Sequence, residues 1–300
     1  MRSVVWTGLG LAFVTAVAGG LVFAGQQCGP LDRSGCVAAF TVADMTGLGD
    51  TVAVAPNAKG QIWVAGSRYA GRRHSGALDP SIVIALLDAG TGAEITRLFP
   101  SDTGTPTQMT LSPDGARIAI ANSTILMHSA DLIVLDAEGE TLWSREFDEY
   151  DVVPDAEGRA FALSFGPEGE LFADPLAFNA QGEPIAPQAV GRRWIEAGSA
   201  GVALPAGFVP WTYATVARSS DGMREAVLVR RFDRGAGARA VLAVRDVATG
   251  ATIVRHEIGD DLNAALAWDP LGRGVIVARA GALQAGAGTQ LRIYAVEAKP

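Results

Sequence analysis

Leu111-Ser112-Pro113-Asp114-Gly115-Ala116-Arg117-Ile118-Ala119-Ile120 reads as an apolar strand, a tight turn and a second strand, and versions of it recur along the chain. Pro113 presets φ for the second position of a turn, and Gly115 accepts positive φ without a Cβ clash. The two flanking strands must then run antiparallel. Ile118 and Ile120 fall on one face of the second strand and the small Ala119 and Ala121 on the other, a pattern suited to sheets stacked closely on their neighbours. A repeated unit that cannot bury its own faces must stack against its copies, so the repeats predict one large all-β domain over two small ones.

In chain order, the first repeat has strands over 51–55 and 61–65 around Pro56-Asn57-Ala58-Lys59-Gly60, then 81–87 and 94–98 around Asp88-Ala89-Gly90-Thr91-Gly92. The second repeats this four-strand meander: 108–111, the Pro113 turn, 117–121, 131–135, the turn Asp136-Ala137-Glu138-Gly139, and 141–143. In the third, Pro154-Asp155-Ala156-Glu157-Gly158 is taken as the first turn over Gly166-Pro167-Glu168-Gly169, because it matches Pro56 to Gly60 in residue type. Asn179-Ala180-Gln181-Gly182 is its second turn. Residues 188–210 are too short for four strands and read as an insertion. The fourth repeat has strands at 212–217, 225–229, 240–244 and 252–255, and the fifth at 264–268, 275–278 and 291–295. The fifth lacks its last strand, and the unattached strand at 36–42 fills that place. In each paired turn Asp or Asn bonds its own backbone and Gly closes at positive φ; a β-branched residue at that Gly costs on the order of 1 kcal/mol or more.

Units of this size, each a four-strand meander, predict a β-propeller of about five blades, with six as the alternative if 188–210 hides degenerate strands. Leu111-Ser112-Pro113-Asp114-Gly115 and the Asp-x-x-Thr-Gly turns at Asp88 and Asp246 resemble the WD-repeat-like propellers of bacteria, including the Tyr-Val-Thr-Asn-type surface repeats. The resemblance covers almost everything after Cys36 and is specific for fold, since this scaffold hosts binding platforms and enzymes alike. The chain departs from true WD repeats: Gly-His is absent, and Trp268-Asp269 stands at a first turn instead of ending a third strand.

Val4 through Ala24 carries no charge, enough for one bilayer-spanning helix, with Arg2 before it. Val22-Phe23-Ala24 fits a signal-peptidase site, whereas the length of the run favours retention. Arg2 stays cytoplasmic on this reading, and everything after Ala24 lies outside, periplasmic or extracellular. Residues 1–25 are then the anchor or signal peptide, 26–35 a linker and 36–300 the propeller domain. Cys28 and Cys36, the only cysteines, are expected to pair in that oxidising compartment, a short loop worth on the order of 2 to 3 kcal/mol at best. Two thiols alone lack the further ligands zinc needs.

A net charge of −8 and a pI near 5.0 argue against a sequence-independent grip on nucleic acid. His74, His128 and His256 are scattered without companions at metal-ligand spacing, and Gly198-Ser199-Ala200-Gly201 lacks the first glycine of a nucleophile elbow. Gly235-Ala236-Gly237 and Gly286-Ala287-Gly288 precede no helix and read as loops. Asp148, Glu149, Asp151, Asp155 and Glu157 miss the spacing of a calcium loop and read as a solvated connection. No cofactor is expected. In a propeller, loops from second to third strands and from one blade to the next share a face. Here they carry Arg72-Arg73-His74, His128, Arg192-Arg193-Trp194 and Arg230-Arg231-Phe232, and Arg and Trp favour binding hot spots. The expectation is an extracytoplasmic, non-catalytic platform that binds an envelope protein or small ligand on that face. The alternative is a glycoside or lactone hydrolase acting through carboxylates at the central channel.

Overall fold

A computed structural model describes residues 28, 35–45, 53–69, 80–101, 104–124, 129–148, 163–173, 176–185, 194–196, 213–231, 239–259, 264–279 and 288–296. The apolar leader, and with it the choice between anchor and signal peptide, lies outside them. Among the described residues no helix is long and apolar enough to cross a membrane.

The described chain is all-β, and its strands pair antiparallel in five sheets. The first holds β2 (Ala53–Pro56), β3 (Gln61–Tyr69), β4 (Pro80–Asp88) and β5 (Glu94–Ser101) in chain order. The second holds β6 (Thr105–Leu111), β7 (Arg117–Thr124), β8 (Ser129–Asp136) and β9 (Thr141–Asp148). The third is β10 (Leu163–Phe165), β11 (Leu171–Ala173) and β12 (Leu176–Phe178), extended by a bridge from Phe178 to Pro184. The fourth has five strands: β13 (Trp194–Glu196), β14 (Tyr213–Arg218), β15 (Arg224–Arg231), β16 (Arg239–Asp246) and β17 (Thr252–Gly259). The fifth joins β18 (Ala264–Trp268), β19 (Gly274–Arg279) and β20 (Thr289–Ala295) to β1 (Cys36–Val42), the N-terminal strand, which pairs along β20 from Cys36 opposite Tyr294 to Val42 opposite Thr289.

The strands run further than their apolar centres, because backbone pairing continues into polar residues such as Ser67 and Arg68 of β3. Two sequence expectations need correction. The first turn of the third sheet is Gly166-Pro167-Glu168-Gly169, where Gly166 N donates to Glu170 O (2.8 Å) and Gly169 adopts φ +86°; Pro154 to Gly158 lie outside the described residues. Local composition alone could not separate two proline turns that both end in Glu-Gly, and the pairing of Phe165 with Leu171 does. Residues 188–210 are also more than an insertion, for Trp194-Ile195-Glu196 pairs with the free edge of β14. No sixth sheet forms there among the described residues.

Side-chain alternation places four cores between successive sheets. Ile118 and Ile120 pack with Trp63, Ile82 and Ile84 of the first sheet, while Ala119 and Ala121 on the opposite face of β7 meet Leu163, Leu171 and Phe178 of the third. Each isoleucine so buried contributes roughly 2 kcal/mol. Ile62 and Val64 share a core with Ile276, Leu291, Ile293 and the β1 residues Phe40 and Val42. Val275, Val277 and Tyr294 face Ala226, Leu228 and Leu242 of the fourth sheet. Packing therefore runs fourth, fifth, first, second, third sheet, and β14, β18, β2, β6 and β10, the first strand of each meander, lie against one another in that same succession.

Candidate functional site

Antiparallel meanders sort their connections to two edges. One edge carries the tight turns, each organised by a side chain that receives backbone N–H groups. Ser112 Oγ accepts from Arg117 N (2.9 Å) and donates to Asp114 Oδ1 (2.5 Å), and Ser219 does the same with Arg224 and Asp221. Asp88 Oδ1 accepts from the backbone and hydroxyl of Thr91, and Asp246 Oδ1 from those of Thr249. These bonds, led by the serine and threonine hydroxyls, hold the carboxyls of Asp88, Asp114, Asp221 and Asp246 below the usual range. Asn57 and Asn179 fill corresponding places with neutral amides.

The turns of neighbouring sheets are tied together on this edge. Arg273, paired to buried Asp269 (Nε to Oδ2, 2.8 Å), donates from Nη2 to Ala89 O of the first sheet (2.5 Å). Arg117 Nη1 reaches Gly169 O (3.3 Å) and Arg145 Nε reaches Gly182 O (3.0 Å), joining second to third. Trp268 Nε1 donates to Ala217 O (2.8 Å), joining fifth to fourth. β1 begins on the same edge, with Ala295 N donating to Gly35 O and Cys36 disulfide-bonded to Cys28. The linker that leads back to the apolar N-terminus therefore leaves from the turn edge.

The other edge carries the remaining connectors, among them 70–79 between β3 and β4, 125–128 between β7 and β8, 232–238 between β15 and β16, and those leading from sheet to sheet. Arg72, Arg73 and His74 belong to the first of these and His128 to the second; all lie outside the described residues, as do Arg192 and Arg193. Arg230 and Arg231 end β15 at this edge, opposite Ala240 and Arg239. Trp194 is placed differently from the expectation: it starts β13 in register with Thr215, midway along β14, on the edge of the fourth sheet where first strands meet, not at a connector tip.

Two polar arrangements were not legible in the sequence, because each joins residues from separate strands. Glu225, buried at the start of β15, is held by Arg245 of β16 (Nε to Oε2, 2.7 Å) with Arg218 of β14 beyond (3.5 Å). In the second sheet Asn122, Asp131 and Glu146 stand in one cross-strand row; Asn122 Nδ2 donates to Asp131 Oδ2 (3.1 Å), yet burial, aided by Glu146, raises the Asp131 carboxyl above its usual range. Among the described residues no three His, Cys, Asp or Glu side chains gather as a metal ion requires.

Outside β13 (Trp-Ile-Glu), which lies on the edge of the fourth sheet beyond β14, the first strands of the five meanders are mostly uncharged. They read Ala-Val-Ala-Pro, Thr-Pro-Thr-Gln-Met-Thr-Leu, Leu-Ser-Phe, Tyr-Ala-Thr-Val-Ala-Arg and Ala-Ala-Leu-Ala-Trp, with Arg218 their one charged residue.

No protein-family profile matches the chain, and no curated protein matches it. Solved structures that the chain matches include the hydrazine synthase of Kuenenia stuttgartiensis, at 13% identity and a TM-score of 0.30, over 77% of this chain and 56% of that one. Another is a chain of the mitotic checkpoint complex, at 12% identity and a TM-score of 0.40, over 94% of this chain and 99% of that one.

Proposed function

We propose that the five sheets are blades of a β-propeller closed by β1, tethered outside the cytoplasm by the N-terminal apolar segment, and that it acts as a non-catalytic binding platform in the cell envelope. Three features support closure. The first strands adjoin in succession from β14 to β10. β1 supplies the outer strand that the last meander lacks. On the fourth sheet, Val227, Val229, Val241 and Ala243 are buried although they point away from the fifth; on the third, Phe172 and Ala177 are buried although they point away from the second. An open row of sheets leaves its two outer faces in water, and here both are covered.

The observation that carries the binding reading is the composition of the first strands. In a propeller the innermost strands line the channel, and apart from Arg218 and the Glu196 of β13 those of the described sheets are uncharged, so the pair of carboxylates that glycoside hydrolysis draws on is not found on them. Recognition then falls to the connector edge, the end of the molecule away from the linker at Cys28. A protein or ligand docks there on the arginine-bearing connectors.

The test is capture of partners from envelope fractions by the full-length protein in detergent micelles. Wild type is compared with Arg72→Ala/Arg73→Ala at the connector edge and Lys59→Ala/Arg224→Ala at the turn edge. A partner retained by the turn-edge variant and lost by the connector-edge variant is the expected result. Turnover of glycoside or lactone substrates, or a partner lost only with the turn-edge variant, overturns the reading.

A further inference from the structure

We propose that the turn edge of the fourth, fifth and first sheets is a membrane-seating surface, held against the lipid interface by a short leash. The outer strands of four sheets each carry a β-bulge close to the turn edge. Opposite the consecutive residues Leu86 and Leu87, β5 skips from Thr96 to Glu94; β9 likewise skips from Trp143 to Thr141, β17 from Val254 to Thr252 and β1 from Ala38 to Cys36. The extra residues are Ile95, Leu142, Ile253 and Val37, large, apolar and exposed in every case. A bulge interrupts the ladder and re-aims a side chain, and one that served only to twist a strand would as readily carry a polar residue.

Among the described residues seven large apolar side chains are exposed, and six stand on the turn edge: these four, with Met223 and Leu271 in the turns of the fourth and fifth sheets. Met223 is the most exposed of them, at 64%. The seventh, Phe99, lies under the Arg68 guanidinium (5.7 Å) further along β5. Val37, Ile95, Ile253, Met223 and Leu271 fall in one sector, because the fourth, fifth and first sheets are consecutive in the packing. In that sector Asp88, Asp221 and Asp246 are balanced by Lys59, Arg218 and Arg224, whereas the second and third sheets crowd Glu138, Glu140, Glu168, Glu170 and Glu183 onto the rest of the edge. A neutral apolar sector enters a lipid interface, and the glutamates turn away from anionic headgroups.

The inference rests on the tethered reading, which makes the occupant a bilayer. The apolar run ends at Ala24, four residues before Cys28. The disulfide holds Cys28 to Cys36, with Cα atoms 5.9 Å apart, beside the bulge at Val37. Four residues span at most about 14 Å, whereas the chain from Ala24 to Cys36 without the bond would span about 42 Å. The disulfide therefore keeps this sector within reach of the headgroups, and at so high an effective concentration a few apolar side chains suffice to seat it.

The test is photolabelling of the full-length protein, reconstituted in vesicles of phosphatidylcholine and phosphatidylglycerol, by a phospholipid whose acyl chain carries a diazirine near the headgroup. Adducts mapped by mass spectrometry should concentrate on the segments bearing Val37, Met223, Ile253 and Leu271. Met223→Ser/Leu271→Ser should lower the adducts at Val37 and Ile253 about fivefold, and so should a Gly-Ser insertion of about ten residues after Gln27, which lengthens the leash and leaves every sheet intact. Leu142→Ser, in the acidic sector, should leave them unchanged. Adducts spread evenly over both edges, labelling that survives both the double variant and the insertion, or an equal loss in Leu142→Ser each overturns the inference. Flotation of the washed vesicles separates it from the tether. Protein that floats without turn-edge adducts is tethered and not seated, which overturns this inference alone. Protein left at the bottom of the gradient removes the tether, and this inference with it.

Discussion

Asp114 and Asp221 hold their turns with the same bonds: each carboxylate accepts from a serine hydroxyl two residues earlier and from the backbone N–H two residues later. Asp88 and Asp246 use a threonine three residues on for the same purpose. In all four the charged form is favoured in the folded state, so the folded pKa is lowered. A lowered acid pKa contributes stability that is present above the unfolded value, near 4, and is lost as pH falls through the folded one. Replacing all four by Asn, the residue that Asn57 and Asn179 already use in matching turns, keeps an acceptor oxygen and removes the proton linkage. The melting temperature of that variant should fall less than wild type's between pH 5 and pH 3; superimposable acid limbs in a thermal scan would refute the assignment. These turns were readable in the sequence because their chemistry is local, an Asx or Ser acceptor followed by a glycine such as Gly115 at φ +71°. Glu225 was not readable, for its partner Arg245 is 20 positions away and reaches it only once β15 and β16 have paired.

At the scale of elements, the strands were legible wherever β-branched residues alternate between turn signals, as in Arg117 to Ala121, and less so where a strand is brief. β10, β11 and β12 have three residues each, too few to show a period, and β13 is a strand because the edge of β14 receives it. What joins one element to the next sheet is mostly long-range and therefore silent in the sequence. Arg273 is the instructive case. It pairs with Asp269 of its own turn, whose side chain is fully buried, and donates to Ala89 O, so a single guanidinium fastens the fifth sheet to the first. Removing it strands a buried carboxylate, a change that costs about 3–5 kcal/mol in buried pairs. Arg273→Ala should lower unfolding stability by about 3 kcal/mol in urea titration, and Arg273→Ala/Asp269→Asn should recover part of the loss. A single variant within 0.5 kcal/mol of wild type, a margin typical of about any surface substitution, would show that the pair contributes nothing to the join.

For the molecule as a whole, the decisive feature is that the first and last of the described strands are partners. The expectation that 36–42 completes the last meander came from a count of strands, and β1 lies along β20. What the count could not supply is how β1 is held on its other side. Phe40 packs against the turn at Gly92 in the first sheet and, with Val42 and Met45, joins the core between fifth and first sheets; Thr289 Oγ1 donates to Met45 O (2.9 Å). β1 thus belongs to the seam between the fifth sheet and the first. Burying Phe40, Val42 and Met45 contributes roughly 2 kcal/mol each, about 6 kcal/mol in all. Whole domains are stable by about 5–15 kcal/mol, so loss of this strand consumes much of the margin. A chain beginning at Thr46 should therefore melt at much lower temperature and with a broader transition than wild type. Adding a synthetic peptide of residues 35–45 in excess should restore the transition in a concentration-dependent way, because the peptide binds only the folded form. A truncated chain that melts like wild type, or one whose melting the peptide leaves unchanged, would mean that the seam is held by the remaining sheets and that β1 is an accessory to it.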